Sequence, residues 1–260
     1  MLEVKKLEVV YHHVSTAIQG VSFSVKEKDI FAIIGANGAG KTTTLRAISG
    51  FLGIDNAEIT DGEIQFEGKK LNGLFPHKIA AMGIVLVPER NKVFETLTTH
   101  ENLAILAGGR GGDRRAIDRI YDYFPSLKQR KGSLAGLLSG GERQMLAFGQ
   151  ALLCSPKLLL VDELSQGLAP LVINHLITSL MELKKDMGLT ITIVEQNAAV
   201  ALEIADYAAV MENGRVVFDG TPERLLQHED VKEFYIGTKG GEEKSYRDVK
   251  QYRRSRRWWG

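Results

Sequence analysis

The sequence predicts an α/β fold organised around a sheet of buried strands, on three observations. Four short apolar runs, Phe31-Ala32-Ile33-Ile34, Ile84-Val85-Leu86-Val87, Leu158-Leu159-Leu160-Val161 and Thr190-Ile191-Thr192-Ile193-Val194, lack the polar alternation of a strand with one wet face. Helix-forming stretches lie between these runs, the order that builds parallel sheets. The first run leads through the glycine-rich turn Gly35 to Gly40 straight into a helix start at Lys41. With 260 residues, 44% apolar and 25% charged, the chain has an ordinary globular composition and fits one domain with subdomains.

Taken in order, Leu2-Glu3-Val4 and Val21-Ser22-Phe23-Ser24-Val25 alternate apolar with polar and read as antiparallel strands, the first ending at Tyr11. The helix from Lys41 stops at Ser49-Gly50, and Asp61 to Phe66 is a further strand bounded by glycine turns. Pro76 opens a short helix through Ala81, closed by Gly83 before the second buried run. From Thr98 to Gly136 helices with polar faces, broken at Gly108, Gly109, Gly111 and Gly112, read as an insertion in the core. A helix through Cys154 ends at Ser155-Pro156, and another runs from Pro170 to Gly188. Asp206 to Met211 and Arg215 to Phe218 form a hairpin around Glu212-Asn213-Gly214, and two short helices, Pro222 to Leu226 and Glu229 to Tyr235, close the fold.

The turn carries the chemistry. Gly35, Ala36, Asn37, Gly38, Ala39, Gly40, Lys41, Thr42 and Thr43 contain the pattern G-x-x-x-x-G-K-[ST]. Its backbone N–H groups can face a phosphate at a helix N-terminus, Lys41 can reach the β- and γ-phosphates, and the Thr42 hydroxyl can take a Mg²⁺ position. The third buried strand ends on Asp162-Glu163, two carboxylates that are costly there unless a cation or substrate uses them. Asp162 suits Mg²⁺ and Glu163 suits accepting a proton from an attacking water. Tyr11 could stack on a purine. Ser139-Gly140-Gly141 opens a second helix and is a second anion-binding turn. One nucleotide does not need two such turns from one chain, so the second is expected to serve a nucleotide held by another subunit.

Other classes fit less well. The net charge of +1 gives no whole-protein basic field, and no nucleic-acid partner is expected. Residues 239–260 carry eight Lys or Arg against three Asp or Glu, hence +5, leaving about −4 on the rest. This tail, ending Arg253-Arg254-Ser255-Arg256-Arg257-Trp258-Trp259, is read as a disordered end or as a segment for an anionic membrane surface. The single Cys154 excludes an intramolecular disulfide and a cysteine-based zinc site. No apolar run is long enough to span a bilayer.

Gly35 to Thr43 resembles the Walker A motif, Leu138-Ser139-Gly140-Gly141-Glu142 the signature motif of ATP-binding-cassette (ABC) proteins, and Leu158 to Glu163 Walker B with its catalytic glutamate. The resemblance runs to about Tyr235. It implies a P-loop, RecA-like core with an antiparallel β-subdomain and an inserted helical subdomain at about 89–150, all within residues 1–238. It also implies ATP and Mg²⁺ as ligands, with Tyr11 on adenine. The signature residues Ser139, Gly140, Gly141 and Glu142 would contact nucleotide in trans.

Within the family, Val87-Pro88-Glu89-Arg90, Gln166-Gly167-Leu168-Ala169-Pro170 and Val194-Glu195-Gln196-Asn197 resemble the LivF-type ATPase subunit of bacterial branched-chain amino acid importers. Glu89 stands where most members carry a glutamine near the γ-phosphate, and Gln196 where they carry a histidine that assists catalysis. The resemblance implies hydrolysis of ATP by Lys41, Glu163 and Gln196, and a second ABC ATPase subunit in a heterodimer or homodimer. Integral membrane permease chains would dock around Arg90 to Glu101. A solute-binding protein would engage only indirectly, and the chain would sit in the cytoplasm against the inner face of the membrane. ATPases of urea, amide or lipid systems share these motifs, as do soluble ABC ATPases. The latter usually add a coiled coil or a second cassette, and neither is found here.

Overall fold

The computed structural model describes residues 1–90, 92–108 and 114–231. The tail at 239–260, the end of the last helix at Tyr235 and the breaks at Gly109, Gly111 and Gly112 lie outside the described residues. Strands β1 (Leu2–Tyr11), β2 (Ser15–Val25), β4 (Ala57–Phe66) and β5 (Lys69–Lys70) form an antiparallel sheet in the order β2-β1-β4-β5. Strands β3 (Ile30–Ile34), β6 (Ile84–Val87), β7 (Leu158–Asp162), β8 (Thr190–Glu195), β9 (Tyr207–Glu212) and β10 (Arg215–Gly220) form the core sheet, ordered β10-β9-β3-β8-β7-β6. Its strands pair in parallel except for the antiparallel β9–β10 hairpin.

The core strands are apolar throughout because both faces are covered. Ile30, Ala32 and Ile34 point into one cluster with Leu159, Val161, Ile191 and Ile193. Phe31 and Ile33 point into the opposite cluster with Leu158, Leu160 and the antiparallel sheet. That alternation is the pleat of a strand with two dry faces.

Helices α1 (Lys41–Ser49) and α2 (Pro76–Ala81) lie on the side of the antiparallel sheet. Helices α3 (Thr99–Gly108), α4 (Arg114–Tyr123), α5 (Pro125–Gln129) and α6 (Gly140–Leu153) pack on one another, and α6 also packs on β6. Helix α7 (Pro170–Met187) follows β7 and packs on α6, and α8 (Ala198–Ile204) follows β8. The chain continues through β9 and β10 to α9 (Pro222–Gln227) and α10 (Glu229–Val231).

Prolines at the first turns of α2, α5, α7 and α9 fit there because that position has no intrahelical donor to lose. The structure departs from the sequence reading at several points. β7 stops at Asp162, so Glu163 stands outside the strand. Helices α5 and α8 were not expected. β6 is the edge strand, separated from β3 by β8 and β7, and Glu89, just beyond its end, still shares a cavity lining with the glycine-rich turn.

Candidate functional site

The glycine-rich turn leaves β3 at Ile34 and enters α1 at Lys41. Gly40 is the N-cap with φ 101°, a left-handed conformation that a side chain would strain. The Ala39 N–H donates to the Ala36 carbonyl at 3.1 Å, and the β9–β10 turn pins the loop from outside through the Gly214 N–H on the Ala39 carbonyl at 3.0 Å. The buried Lys41 Nζ donates to the carbonyls of Gly35 at 2.9 Å and Ala36 at 3.2 Å. It also lies 3.1 Å from Glu163 Oε1. A cavity of about 270 Å³ opens here, lined by Asn37 to Thr43 with Ala17, Glu89, Glu163 and Gln166.

The end of β7 meets the start of α1. Thr42 Oγ1 donates to Asp162 Oδ1 at 2.9 Å. Burial pushes the Asp162 carboxyl up to about 6, the Thr42 hydrogen bond opposing it and the neighbouring Glu163 adding to it. A hydroxyl beside a carboxylate is the oxygen donor set that Mg²⁺ takes when phosphate and water complete its shell. Among the described residues no group of three His, Cys, Asp or Glu side chains is placed to hold a metal. The site therefore fits a cation that shares its ligands with a nucleotide and not one caged by protein.

Glu163 has φ 52°, a left-handed backbone that costs a non-glycine residue about 1–2 kcal/mol. Four hydrogen bonds join the segment just after β7 to the end of β8. The Glu163 N–H donates to the Val194 carbonyl at 3.0 Å. The Gln196 N–H donates to Glu163 Oε2 at 3.1 Å. The Ser165 N–H and Oγ each donate to the Glu195 carboxylate at 2.8 Å. Glu195 is fully buried, and burial pushes its carboxyl up to about 7 against those Ser165 bonds. Gln196 thus approaches Glu163 through its backbone, while its side chain is exposed.

The remaining predicted residues divide. Glu89 lines the cavity and pairs with Arg90 at 3.0 Å. Tyr11 is outside the lining, its hydroxyl 3.2 Å from Thr43 Oγ1. Ser139, Gly140, Gly141 and Glu142 do not line the cavity; they start α6. There Ser139 Oγ accepts from the Glu142 N–H at 3.2 Å and Glu142 Oε2 accepts from the Ser139 N–H at 2.8 Å, a capping box worth about 1 kcal/mol. The first-turn N–H groups of Gly140 and Gly141 have no helical carbonyl to meet. At Gly141 a Cβ would come within 2.3 Å of Val172 Cγ1, so glycine lets this end of α6 press against the start of α7. Sequence reasoning did not single out Gln166, which lines the cavity, or the pair Glu195 and Ser165. The signals for Glu195 were a charged residue closing an apolar strand and its place in Val194-Glu195-Gln196-Asn197, which marked the segment and gave the residue no role.

A parallel sheet that brings a glycine-rich turn, the strand-end carboxylate of Asp162 and, just beyond it, Glu163 together at one end of its strands defines a nucleotide-binding cassette. The family model for ABC transporters matches residues 18–166, over half of the chain. This chain belongs to the ABC transporter family, among its ATP-hydrolysing subunits. It is 42% identical over 241 residues to the high-affinity branched-chain amino acid transport ATP-binding protein BraG of Pseudomonas aeruginosa, covering 91% of this chain and 100% of that one. It is 36% identical over 239 residues to the probable branched-chain amino acid transport ATP-binding protein LivF of Archaeoglobus fulgidus, covering 91% and 99%. The ADP conformation of MJ1267, an ATP-binding cassette of an ABC transporter, superposes with a TM-score of 0.78 at 28% identity, over 92% of this chain and 99% of that one.

Proposed function

We propose that this chain energises an importer of branched-chain or other hydrophobic amino acids by binding and hydrolysing ATP. The observation that carries the solute class is its likeness, along nearly its whole length, to two proteins named for branched-chain amino acid transport. The lipopolysaccharide export protein LptB of Haemophilus influenzae is less similar, at 30% identity over 225 residues.

In this reading the turn from Gly35 to Thr43 wraps the phosphates, Lys41 holds the β- and γ-phosphates, and Tyr11 meets the adenine. Thr42 and Asp162 hold Mg²⁺, which neutralises phosphate charge when bound. Glu163 receives the proton of the attacking water, and Glu89 faces the γ-phosphate end of the cavity. The second turn, Ser139 to Glu142, serves a nucleotide on a second ABC ATPase subunit in a heterodimer or homodimer. That none of its residues lines this chain's own cavity supports that assignment.

The domain reading is a cassette over residues 1–238, a helical subdomain at about 89–150 and a separate tail. Permease chains dock on the helical subdomain. Supporting this, an apolar cleft of about 250 Å³ between β6 and helices α3 and α6 is lined by Lys92 and Phe94, the latter 56% exposed. No helix among the described residues is long and apolar enough to cross a membrane; in this reading the permease holds the chain at the inner face of the membrane. The solute-binding protein engages the assembly only through those chains.

The test uses a tagged Glu163→Gln chain, recovered from native membranes with ATP and analysed by mass spectrometry. Polytopic permease chains of an amino-acid importer, with a second ATPase, are expected; only soluble partners, ribosomes or DNA would overturn the transport reading. A second expectation concerns Gln196. A neutral amide cannot bring the positive charge that an imidazolium brings to a transition state. Gln196→His in the assembled complex is expected to raise turnover about ten- to a hundredfold, and unchanged turnover would mean that the glutamine does not slow hydrolysis at this site.

A further inference from the structure

Glu163 must do two things that oppose each other. Its carboxylate has to face Lys41 across the cavity, and its backbone has to adopt φ 52° to put it there. A left-handed residue at a strand end persists when the residues around it are fixed by other bonds. The Val194 carbonyl fixes Glu163 from the front. What fixes it from behind is Ser165, two residues on, whose N–H and Oγ both donate to the Glu195 carboxylate.

Glu195 is also tied to the phosphate loop, because its carbonyl accepts from the Gly35 N–H at 3.3 Å. Its chain neighbour Gln196 supplies the N–H that Glu163 Oε2 accepts. One residue at the end of β8 therefore joins the loop that would grip phosphate, the carboxylate that would receive the proton, and the segment carrying Gln166 into the cavity lining. The carboxylate is fully buried and forms no ion pair among the described residues, although a buried acid is costly to retain for packing alone.

We infer that Glu195 is a positioning residue for ATP hydrolysis: its buried carboxylate fastens Ser165, and so holds Glu163 in the left-handed turn that aims it into the phosphate cavity. The inference rests on the hydrolysis reading given above. It separates turnover from binding. The phosphate loop keeps its own contacts when the Ser165 tie is cut, so affinity for ATP stays while the approach of Glu163 is lost. Small misplacements of a reacting group are enough to lower a rate by one or two orders of magnitude.

The experiment measures kcat, KM for ATP and unfolding temperature on the full chain. Glu195→Ala is expected to lower kcat about ten- to a hundredfold with KM changed less than about twofold. Ser165→Ala, a loop substitution that leaves the core untouched, is expected to lower kcat in part. The double variant is expected to be no slower than Glu195→Ala alone, because both changes cut one connection. Glu195→Gln is expected to recover most of the loss, since its amide can accept from the Ser165 N–H and donate to Ser165 Oγ. If Glu195→Ala does not fold, Ser165→Ala and Glu195→Gln decide alone. Wild-type kcat in Glu195→Ala or Ser165→Ala, a fall carried by KM, or additive losses in the double variant would overturn the inference. A wild-type chain that binds but never hydrolyses ATP would overturn the hydrolysis reading beneath it.

Discussion

Glu163→Gln lowers ATP turnover by about a thousandfold and leaves ATP affinity within a few-fold of wild type, on the usual contribution of a positioned general base. The substitution is nearly isosteric. The amide oxygen can still accept from the Gln196 N–H, now found at 3.1 Å, so the left-handed turn keeps that support. What is lost is the site for a proton, because the amide nitrogen lone pair is delocalised into the carbonyl and a neutral amide is too weak a base to receive it. The ion pair with Lys41, 3.1 Å away, is lost too, which frees the ammonium for phosphate and favours binding over release. Single-turnover phosphate release and equilibrium ATP binding, measured on the same preparation, separate these effects. Near-normal turnover would remove Glu163 from the proposed chemistry, and a collapse of binding would show that its role is structural.

Legibility in the sequence followed the range of the forces involved. The phosphate loop was legible because everything that makes it is local: Ile34 ends a strand, Gly40 takes φ 101°, and Lys41 begins a helix within one turn of chain. The helix starts at Pro76 and Pro170 and the stops at Gly50 and Gly188 were legible for the same reason, each being fixed by one residue's own backbone preference. Helix α8 was not, since Ala198 to Ile204 spans seven residues and its cap, Asn197, reads equally well as the end of a strand. The start of β4 at Ala57 was hidden too, because its charged residues pair with β1 across the sheet and show no clean alternation along the chain.

The candidate site shows the same division. Thr42 and Asp162 were identified from two separate local motifs, though their hydrogen bond spans 120 positions. Glu195 was legible only as one member of the run Val194-Glu195-Gln196-Asn197 and Ser165 not at all, because their two hydrogen bonds exist only once β7 and β8 lie side by side. A residue that matters by holding another one leaves little trace in its own neighbourhood of sequence. The edge position of β6 was equally out of reach, because strand order is decided by which helices cross which face and not by the strands themselves.

Lys41→Ala is the counterpart of the Glu163 substitution and should fail at the other step. The Lys41 ammonium is 5% exposed and surrounded by the Gly35 and Ala36 carbonyls and the Glu163 carboxylate. It is therefore already desolvated at the lining of the cavity before any ligand arrives, so a phosphate that takes up the ammonium does not have to strip its water. Truncating one member of a buried, hydrogen-bonded charge pair costs about 2–5 kcal/mol, so ATP affinity is expected to fall about a hundredfold or more. The Glu163 carboxylate, 7% exposed, is then left without its countercharge, and the unfolding temperature of the nucleotide-free chain should drop as well. Titration calorimetry with ATP and a thermal melt without it test the two consequences separately. Lys41→Arg sharpens the comparison: it keeps the charge and lessens the loss of stability, but a planar guanidinium is too bulky to thread the turn and should not restore affinity. Wild-type affinity in Lys41→Ala would mean that phosphate is not held by this loop, and the assignment of the cavity would have to be abandoned with it.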